Sequence, residues 1–299
     1  MVFARRSRAA LVLTLLVSGV VLSSSAASAG APDRRPPLPK GATDITDSAK
    51  AQKLIREAKE RYAERGHKAG ELRAVEDATG ILIAPIDTKF TTYTATLEDG
   101  SEVTALAPLT ADDPAPVVDV DAVSEAAALA GPAWSVVGNN CFSQIGDTWS
   151  VLDHCYYKFK LANDGSSSYD WYALQRYGTA HRNSPWVLDL ARIRAYRSGG
   201  SSQSWADWNP RVDWYGGSCS TTSIGISTPV GGISKSFERC PDQVTFSKSA
   251  NGTQPDYTQT WFGMGTRGNR EVNFEIAVRV TQGGTASFAM PAAVNGSPY

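Results

Sequence analysis

The sequence predicts a mainly β protein: a disulfide-stabilised antiparallel β-sandwich preceded by a small α+β N-terminal unit. Between residues 131 and 299, apolar residues recur at every second position in many short runs. Gly, Ser, Asn and Asp separate these runs, no long helical pattern interrupts them, and all four cysteines lie among them. A hydrophobic content of 42% with 20% charged residues is typical of a globular core.

Residues 1–29 have the pattern of a secretory signal peptide. Arg5, Arg6 and Arg8 precede an apolar run over 9–22, and small residues mark the cleavage site. The run is too short for a membrane-spanning helix. We expect a secreted, extracellular bacterial protein with no membrane attachment after signal removal. Export by the Sec route is favoured, and the Arg5-Arg6 pair leaves the Tat route open.

Residues 30–42 form a Pro-rich linker, and residues 43–109 are predicted to be a small α+β unit. Asp47 or Thr46 caps a helix that runs to Arg65 and ends at Gly66. Apolar residues follow one another at spacings of three and four along this helix, and they are Ala51, Leu54, Ile55, Ala58 and Tyr62.

A β-hairpin is predicted after this helix. Residues 90–97 alternate in polarity, Asp99-Gly100 suits a tight turn, and 103–107 return. The whole unit is either a permanent domain or a removable propeptide. Residues 110–130 are rich in Asp, Ala and Pro and are predicted to be an acidic linker before the sandwich domain at 131–299.

The clearest strand of the sandwich domain is 271–281, where Val272, Phe274 and Ile276 alternate with polar residues. We expect Asn273 and Glu275 to face solvent. Further strands are predicted at 155–161, 169–180, 186–197, 221–228, 233–239, 243–249, 257–263 and 285–290.

The four cysteines allow three pairings, and local pairing of Cys141 with Cys155 and of Cys219 with Cys240 is favoured. Each bridge would stabilise the domain by about 3 kcal/mol. No two cysteines stand two to four residues apart, so the sequence predicts neither a metal site nor a cofactor.

No catalytic residue is assigned. The histidines are His67, His154 and His181, and no Gly-x-Ser-x-Gly motif occurs. Glu271 and Glu275 lie ~13 Å apart along an extended strand, too far for a glycosidase pair. A hydrolase that uses His154 or His181 stays open, because triad partners need not be close in sequence.

The most unusual cluster is aromatic, with three of eight tryptophans between residues 205 and 214. Pro210 and irregular spacing predict a long ordered loop, and such loops commonly bind ligands. Indole faces stack on sugar rings while nearby acids accept hydroxyl hydrogen bonds. The predicted ligand-binding residues are Trp205, Asp207, Trp208, Asp213 and Trp214.

The sequence therefore favours a secreted non-catalytic binding protein whose ligand is a cell-wall or environmental polysaccharide. The alternatives are a secreted hydrolase and an extracellular protein-interaction or inhibitor module. A net charge of −1 gives no global positive field, so nucleic acid is not an expected partner.

Overall fold

The computed structural model describes residues 35–96, 100–110, 134–146, 149–161, 167–182, 184–199, 201, 203–211, 213–216, 220–228, 231–239, 242–249, 255–266 and 268–297. At 214–216, 220–228, 231–235, 237–239, 242–243 and 264–266 it describes the backbone alone. These described residues form one helix and eighteen strands. No helix among them is long and apolar enough to cross a membrane.

Helix α1 (Ala49–Glu64) confirms the predicted helix. Ser48 caps it, because the Ser48 hydroxyl accepts a hydrogen bond from the backbone N–H of Ala51. The predicted cap, Asp47 or Thr46, lies one or two residues early, since the Thr46 hydroxyl instead accepts from the backbone N–H of Ala74. All five residues of the predicted apolar stripe are buried.

The larger sheet has eight antiparallel strands, and the smaller sheet has six. In order across the larger sheet, the strands are β1 (Thr43–Asp44), β2 (Leu72–Asp77), β3 (Gly80–Pro85), β6 (Trp134–Ile145), β7 (Val151–Leu161), β8 (Tyr169–His181), β16 (Arg270–Thr281) and β10 (Gln203–Asn209). In order across the smaller sheet, they are β11 (Trp214–Gly216), β14 (Asp242–Lys248), β15 (Asp256–Thr266), β9 (Val187–Arg197) and β17 (Phe288–Ala289), with β18 (Ala292–Ser297) also paired to β9.

Two hairpins complete the strands: β4 (Phe90–Thr96) with β5 (Glu102–Pro108), and β12 (Ser220–Thr228) with β13 (Gly231–Arg239). The first is the hairpin that the sequence predicts, with Thr94 opposite Thr104.

The main core lies between the two large sheets, which confirms the β-sandwich. Leu174 and Ile276 from the larger sheet and Ile193 and Trp261 from the smaller sheet belong to one buried cluster. Two antiparallel sheets can bury their facing apolar side chains only against each other, so this cluster holds the layers together.

The outer face of β16 is buried as well, so the predicted exposure of Asn273 and Glu275 is wrong. A second buried cluster, which includes Phe159, Trp171 and Ala277, lies on this side of the sheet. The Glu275 carboxylate accepts a hydrogen bond from the side-chain amide of Gln175. Strand β16 lies between β8 and β10 and is therefore not an edge strand. The alternation of apolar and polar residues along one strand cannot reveal its position in the sheet.

Strands β1, β2 and β3 extend the larger sheet, because β3 pairs with β6 and places Ile81 opposite Ile145. The described residues between 35 and 297 group as one compact unit. The predicted signal peptide and residues 111–130 of the predicted linker at 110–130 lie outside the described residues.

The predicted Cys141–Cys155 disulfide is present, with an S–S distance of 2.05 Å. It joins β6 to β7 at positions that face each other across the sheet. Cys219 and Cys240 lie outside the described residues, so their predicted pairing stays a prediction.

Candidate functional site

The tryptophan segment forms an edge strand where the sequence predicts a loop. Strand β10 pairs with β16, and its register shifts between Trp205 and Asp207. This shift is a β-bulge, which absorbs the irregular aromatic spacing within a regular strand. The strand ends at Asn209, immediately before Pro210, which has no N–H to donate.

The two described indoles of this segment do not form one flat surface. Trp205 and Trp208 meet edge to face, with ring centroids 5.9 Å apart and planes at 63°. Both are half-buried against the main core. The Lys248 ammonium lies 5.1 Å from the Trp205 centroid and 4.3 Å from the Trp208 centroid. One of the protein's own cations therefore already covers both rings.

The acidic residues beside these tryptophans, which the sequence predicts to bind a ligand, accept hydrogen bonds from other groups of the protein. Asp207 is buried and accepts hydrogen bonds from the backbone N–H of Trp208 and from the Arg211 guanidinium. Asp213 accepts from the backbone N–H of Phe246 at 2.9 Å. The backbone of Trp214 lies in β11, and its side chain is outside the described part. The structure thus brings Trp205, Asp207 and Trp208 together on one strand.

His154, one predicted base of the hydrolase alternative, is buried in the core. Its ring lies 5.4 Å from that of Phe142, and its Nδ1 is 3.1 Å from the Arg176 guanidinium. Burial, and then the positive charge of Arg176, hold the pKa of His154 well below its usual value. A substrate in solvent has no access to this imidazole.

His181, the other predicted base, belongs to a network at the buried carboxylate of Asp153. Its Nε2 lies 3.4 Å from Asp153 Oδ2 and 2.7 Å from the Arg65 guanidinium. Arg61 donates to both Asp153 oxygens, at 2.7 and 3.3 Å. Helix α1 is therefore tied to β7 and β8 by charged contacts.

Ser143 and Tyr62 complete the Asp153 network. The Ser143 hydroxyl donates to Asp153 and lies 2.9 Å from the Tyr62 hydroxyl. Burial alone would raise the pKa of Asp153, but the interactions with His181, Arg61 and Ser143 outweigh it and lower the pKa to about 2.

This order of contacts differs from that of a catalytic triad. In a triad the histidine stands between the nucleophile and the carboxylate, whereas here Asp153 stands between Ser143 and His181. Ser143 is also fully buried. The network accordingly explains how helix α1 is held on the sheet.

A cavity of about 560 Å³ opens beside this network. Helix α1 forms one wall, and the neighbouring ends of β6, β7 and β8 form the other. Its apolar lining is Leu54, Ile145, Trp149 and Val151. Among the described residues, its ionisable lining is Lys50, Lys53, Glu57, Arg61, His181 and Arg182, which is five basic side chains against one carboxylate.

Trp149 is the aromatic element of the cavity. Its side chain is 41% exposed, and the Lys50 ammonium lies 4.4 Å from its ring centroid. Its φ of 60° places a bulky residue in the left-handed region, which costs of order 1–3 kcal/mol. An exposed indole held at such a backbone position is unfavourable for stability, which points to a role in binding.

The positive charges near the N-terminus of helix α1 are also unfavourable for stability. Lys50 lies in its first turn and Lys53 in the turn that follows, and no acidic residue occupies the first turn. The N-terminus of a helix carries partial positive charge, so cations are disfavoured there and an anion is favoured. A bound anion would relieve this repulsion.

The sequence alone did not identify Lys50, Lys53, Trp149 or Arg182 as site residues, although it carries a signal for Lys50. This lysine lies in the first turn of the predicted helix, where acidic residues are the usual choice. Trp149 and Arg182 have no comparable signal, because only the sheet order brings the ends of β6–β8 beside the helix.

Comparisons with known proteins leave the family of this chain open. No family model and no curated protein matches it. One solved structure, described as a pore forming protein, has 9% identity over 69% of this chain and 91% of that chain, with a TM-score of 0.31. The Clostridium perfringens NetB toxin in the membrane inserted form has 7% identity over 70% and 91%, with a TM-score of 0.20. Such low TM-scores carry no argument about fold or function.

Proposed function

We propose that this chain is a secreted, non-catalytic binding protein whose ligand is an acidic polysaccharide, bound in the cavity beside helix α1. The observation that carries the proposal is the described part of the cavity lining, in which basic side chains outnumber carboxylates five to one around an exposed indole. The cavity volume falls in the range of ordinary ligand sites, which is roughly 300–1,000 Å³.

The counterions of the basic side chains indicate which of them would bind the ligand. Arg61 already has the Asp153 carboxylate, and Lys53 lies 3.8 Å from Glu57. Lys50 contacts the Trp149 ring, which does not neutralise its charge. Lys50 and the exposed end of Lys53 are therefore the cations that a ligand anion would approach.

An acidic sugar matches both properties of the cavity. Its apolar ring face would stack on the Trp149 indole, and its carboxylate or sulfate would pair with the lysine ammonium groups. Secretion gives access to such polymers. The signal-peptide pattern of residues 1–29 supports export, and a disulfide is typical of an oxidising compartment.

The tryptophan segment of β10 is less suited to a sugar. A flat platform needs coplanar indoles, but the planes of Trp205 and Trp208 differ by 63° and Lys248 covers both. The sequence-based assignment of ligand binding to this segment, with Asp207, Asp213 and Trp214, stays a prediction.

Binding of polygalacturonate, measured by isothermal titration calorimetry, tests the proposal. Trp149→Ala and Lys50→Glu/Lys53→Glu are expected to weaken binding at least tenfold. Phe262→Ala removes an equally exposed aromatic from β15, and Lys59→Glu reverses an exposed charge on helix α1 outside the cavity lining. Both control variants should bind like the unmodified protein.

The same titrations distinguish the alternatives. Equal loss in the cavity variants and their controls would contradict the proposal. Binding that depends on Trp205 and Trp208 instead would return the site to the tryptophan segment. Release of reducing sugar, assayed in the titrated samples, would favour the hydrolase alternative. No binding of polygalacturonate would contradict the proposal and favour a protein partner.

A further inference from the structure

The contact between Arg65 and His181 determines which ring nitrogen of the imidazole carries a proton. Arg65 is the C-terminal cap of helix α1, and its guanidinium lies 2.7 Å from Nε2 of His181. A guanidinium has N–H donors and no acceptor, so Nε2 accepts this hydrogen bond. His181 is therefore neutral in this arrangement, with its single ring proton on Nδ1.

The same ring nitrogen also lies near a carboxylate. Asp153 Oδ2 is 3.4 Å from Nε2 of His181 and 3.8 Å from the Arg65 guanidinium. A proton on Nε2 would oppose the N–H donors of Arg65, which is unfavourable. It would also allow Nε2 to donate a charge-assisted hydrogen bond to Asp153. One proton therefore decides whether Nε2 is bonded to Arg65 or to Asp153.

We propose that His181 is a proton-controlled switch at the cavity beside helix α1. When Nε2 takes a proton from solvent, His181 releases Arg65, donates to Asp153 and adds one positive charge to the cavity lining. The consequence for a ligand rests on the proposed function, because the added charge should strengthen the binding of an acidic polysaccharide in this cavity.

The positions of the two partners favour such an exchange. The side chain of His181 is partly exposed and lines the cavity, so solvent can supply the proton. The side chain of Arg65 is partly exposed as well, and after release it stays at the C-terminal end of helix α1, where the helix dipole favours a cation. Imidazole is the side chain that ordinarily changes its charge between about pH 5 and pH 8.

The charged groups around His181 come from three elements. Helix α1 contributes Arg61 and Arg65, β7 contributes Asp153, and Arg182 follows β8 directly. The pKa of Asp153, about 2, keeps its carboxylate charged throughout the range in which an imidazole titrates, and this charge favours the second ring proton. The three guanidinium groups oppose it. The other ionisable groups of the described cavity lining are Lys50, Lys53 and Glu57.

A bound anion would offset the surrounding cations and so favour protonation of His181. Proton and ligand should therefore each strengthen the binding of the other, because coupling between two binding equilibria is reciprocal.

Nitrogen-15 NMR of the full chain tests the exchange of partners, with the His181 signals assigned from the spectrum of His181→Gln. At pH 7.5 the ring should carry a proton on Nδ1 alone, and both nitrogens should become protonated as the pH is lowered to 5.5. In Arg65→Met the neutral ring should carry its proton on Nε2, because Asp153 then remains as the partner of this nitrogen. The matched variant Arg56→Met, at an exposed position of helix α1, should keep the proton on Nδ1.

Two NMR results would overturn the proposal. One is a proton on Nε2 of the unmodified protein at pH 7.5. The other is an Arg65→Met variant in which the ring proton stays on Nδ1.

Calorimetric titration with polygalacturonate tests the consequence for the ligand. Its carboxylates stay ionised at both pH values, because ordinary carboxyl pKa values lie near 4. The unmodified protein and His67→Gln, which lacks another half-buried histidine, should bind at least threefold more tightly at pH 5.5 than at pH 7.5. His181→Gln should bind equally at the two pH values, and circular dichroism checks the fold of each variant.

The possible calorimetric results separate this proposal from the proposed function. A pH dependence that persists in His181→Gln, or is absent from the unmodified protein, would contradict the switch and leave the binding function intact. No binding at either pH would contradict the proposed function and the consequence for the ligand, whereas the NMR result would still decide the exchange of partners.

Discussion

The cavity beside helix α1 and the tryptophan segment of β10 both combine aromatic rings with cations, but they use them differently. At β10 the rings and charges contact one another, because Lys248 lies over two indoles and Arg211 forms an ion pair with Asp207. At the cavity one indole is exposed, and among the described lining residues the basic side chains outnumber the acidic ones. A high density of aromatic residues in the sequence therefore indicates a candidate site less well than the structure does, because the structure shows which rings and charges already contact other groups of the protein.

The two regions also differ in how deeply their ion pairs are buried, and this gives the largest expected effect. Asp153→Ala removes a buried carboxylate and leaves Arg61 without its counterion, which should destabilise the fold by about 3–5 kcal/mol. Asp207→Ala should cost about 1 kcal/mol for the pair, because Arg211 is exposed. Urea denaturation of both variants measures the difference, and equal losses would contradict it.

The second-largest expected difference between the two regions is the effect of low pH on their contributions to stability. The pKa of Asp153 is lowered to about 2 in the folded state, whereas its ordinary value is near 4. Its carboxylate therefore contributes fully to the stability of the folded state at pH values above about 4. Between about pH 4 and pH 2 the unfolded chain binds the extra proton, so stability falls by about 2 kcal/mol as the pH decreases through this window.

Denaturation midpoints measured at steps between pH 5 and pH 2 check this prediction. In Asp153→Asn the contribution of this carboxylate should be missing, so stability should fall less steeply with acid. The same slope in the unmodified protein and in Asp153→Asn would show that other carboxylates account for it.

The backbone at Trp149 offers a smaller and more specific test. Glycine adopts a φ of 60° without the penalty that a side chain incurs, so Trp149→Gly should be about 1 kcal/mol more stable than Trp149→Ala. Both variants should lose polygalacturonate binding, because both lack the indole. Thermal unfolding compares their stabilities, and a less stable glycine variant would contradict strain at this position.

The smallest effect is expected at the tryptophan segment. Lys248→Ala removes the cation over Trp205 and Trp208 and should destabilise the protein by about 0.5–1 kcal/mol. Tryptophan fluorescence should change while polygalacturonate binding does not. Loss of binding in this variant would mean that the two regions share a ligand.

The sequence predicted those parts of the fold that depend on local periodicity. The stripe from Ala51 to Tyr62, the hairpin at 90–107 and the Cys141–Cys155 bridge are all present, because each follows from spacing along a short segment. The environment of Glu275 was predicted wrongly, since its burial depends on which strands flank β16. The cavity could not be predicted, because Lys50 on helix α1 and Trp149 between β6 and β7 are far apart in sequence. Only the packing of the helix on the sheet brings them together.

A comparison of polygalacturonate with its methyl ester directly tests whether the cavity beside helix α1 binds an anion. The two polymers have the same sugar rings, but esterification removes the carboxylate charge. Calorimetry should show binding of the acid that weakens with added salt, and binding of the ester at least tenfold weaker. Equal affinity for the two polymers, or binding that does not respond to salt, would contradict an anion-binding cavity at helix α1.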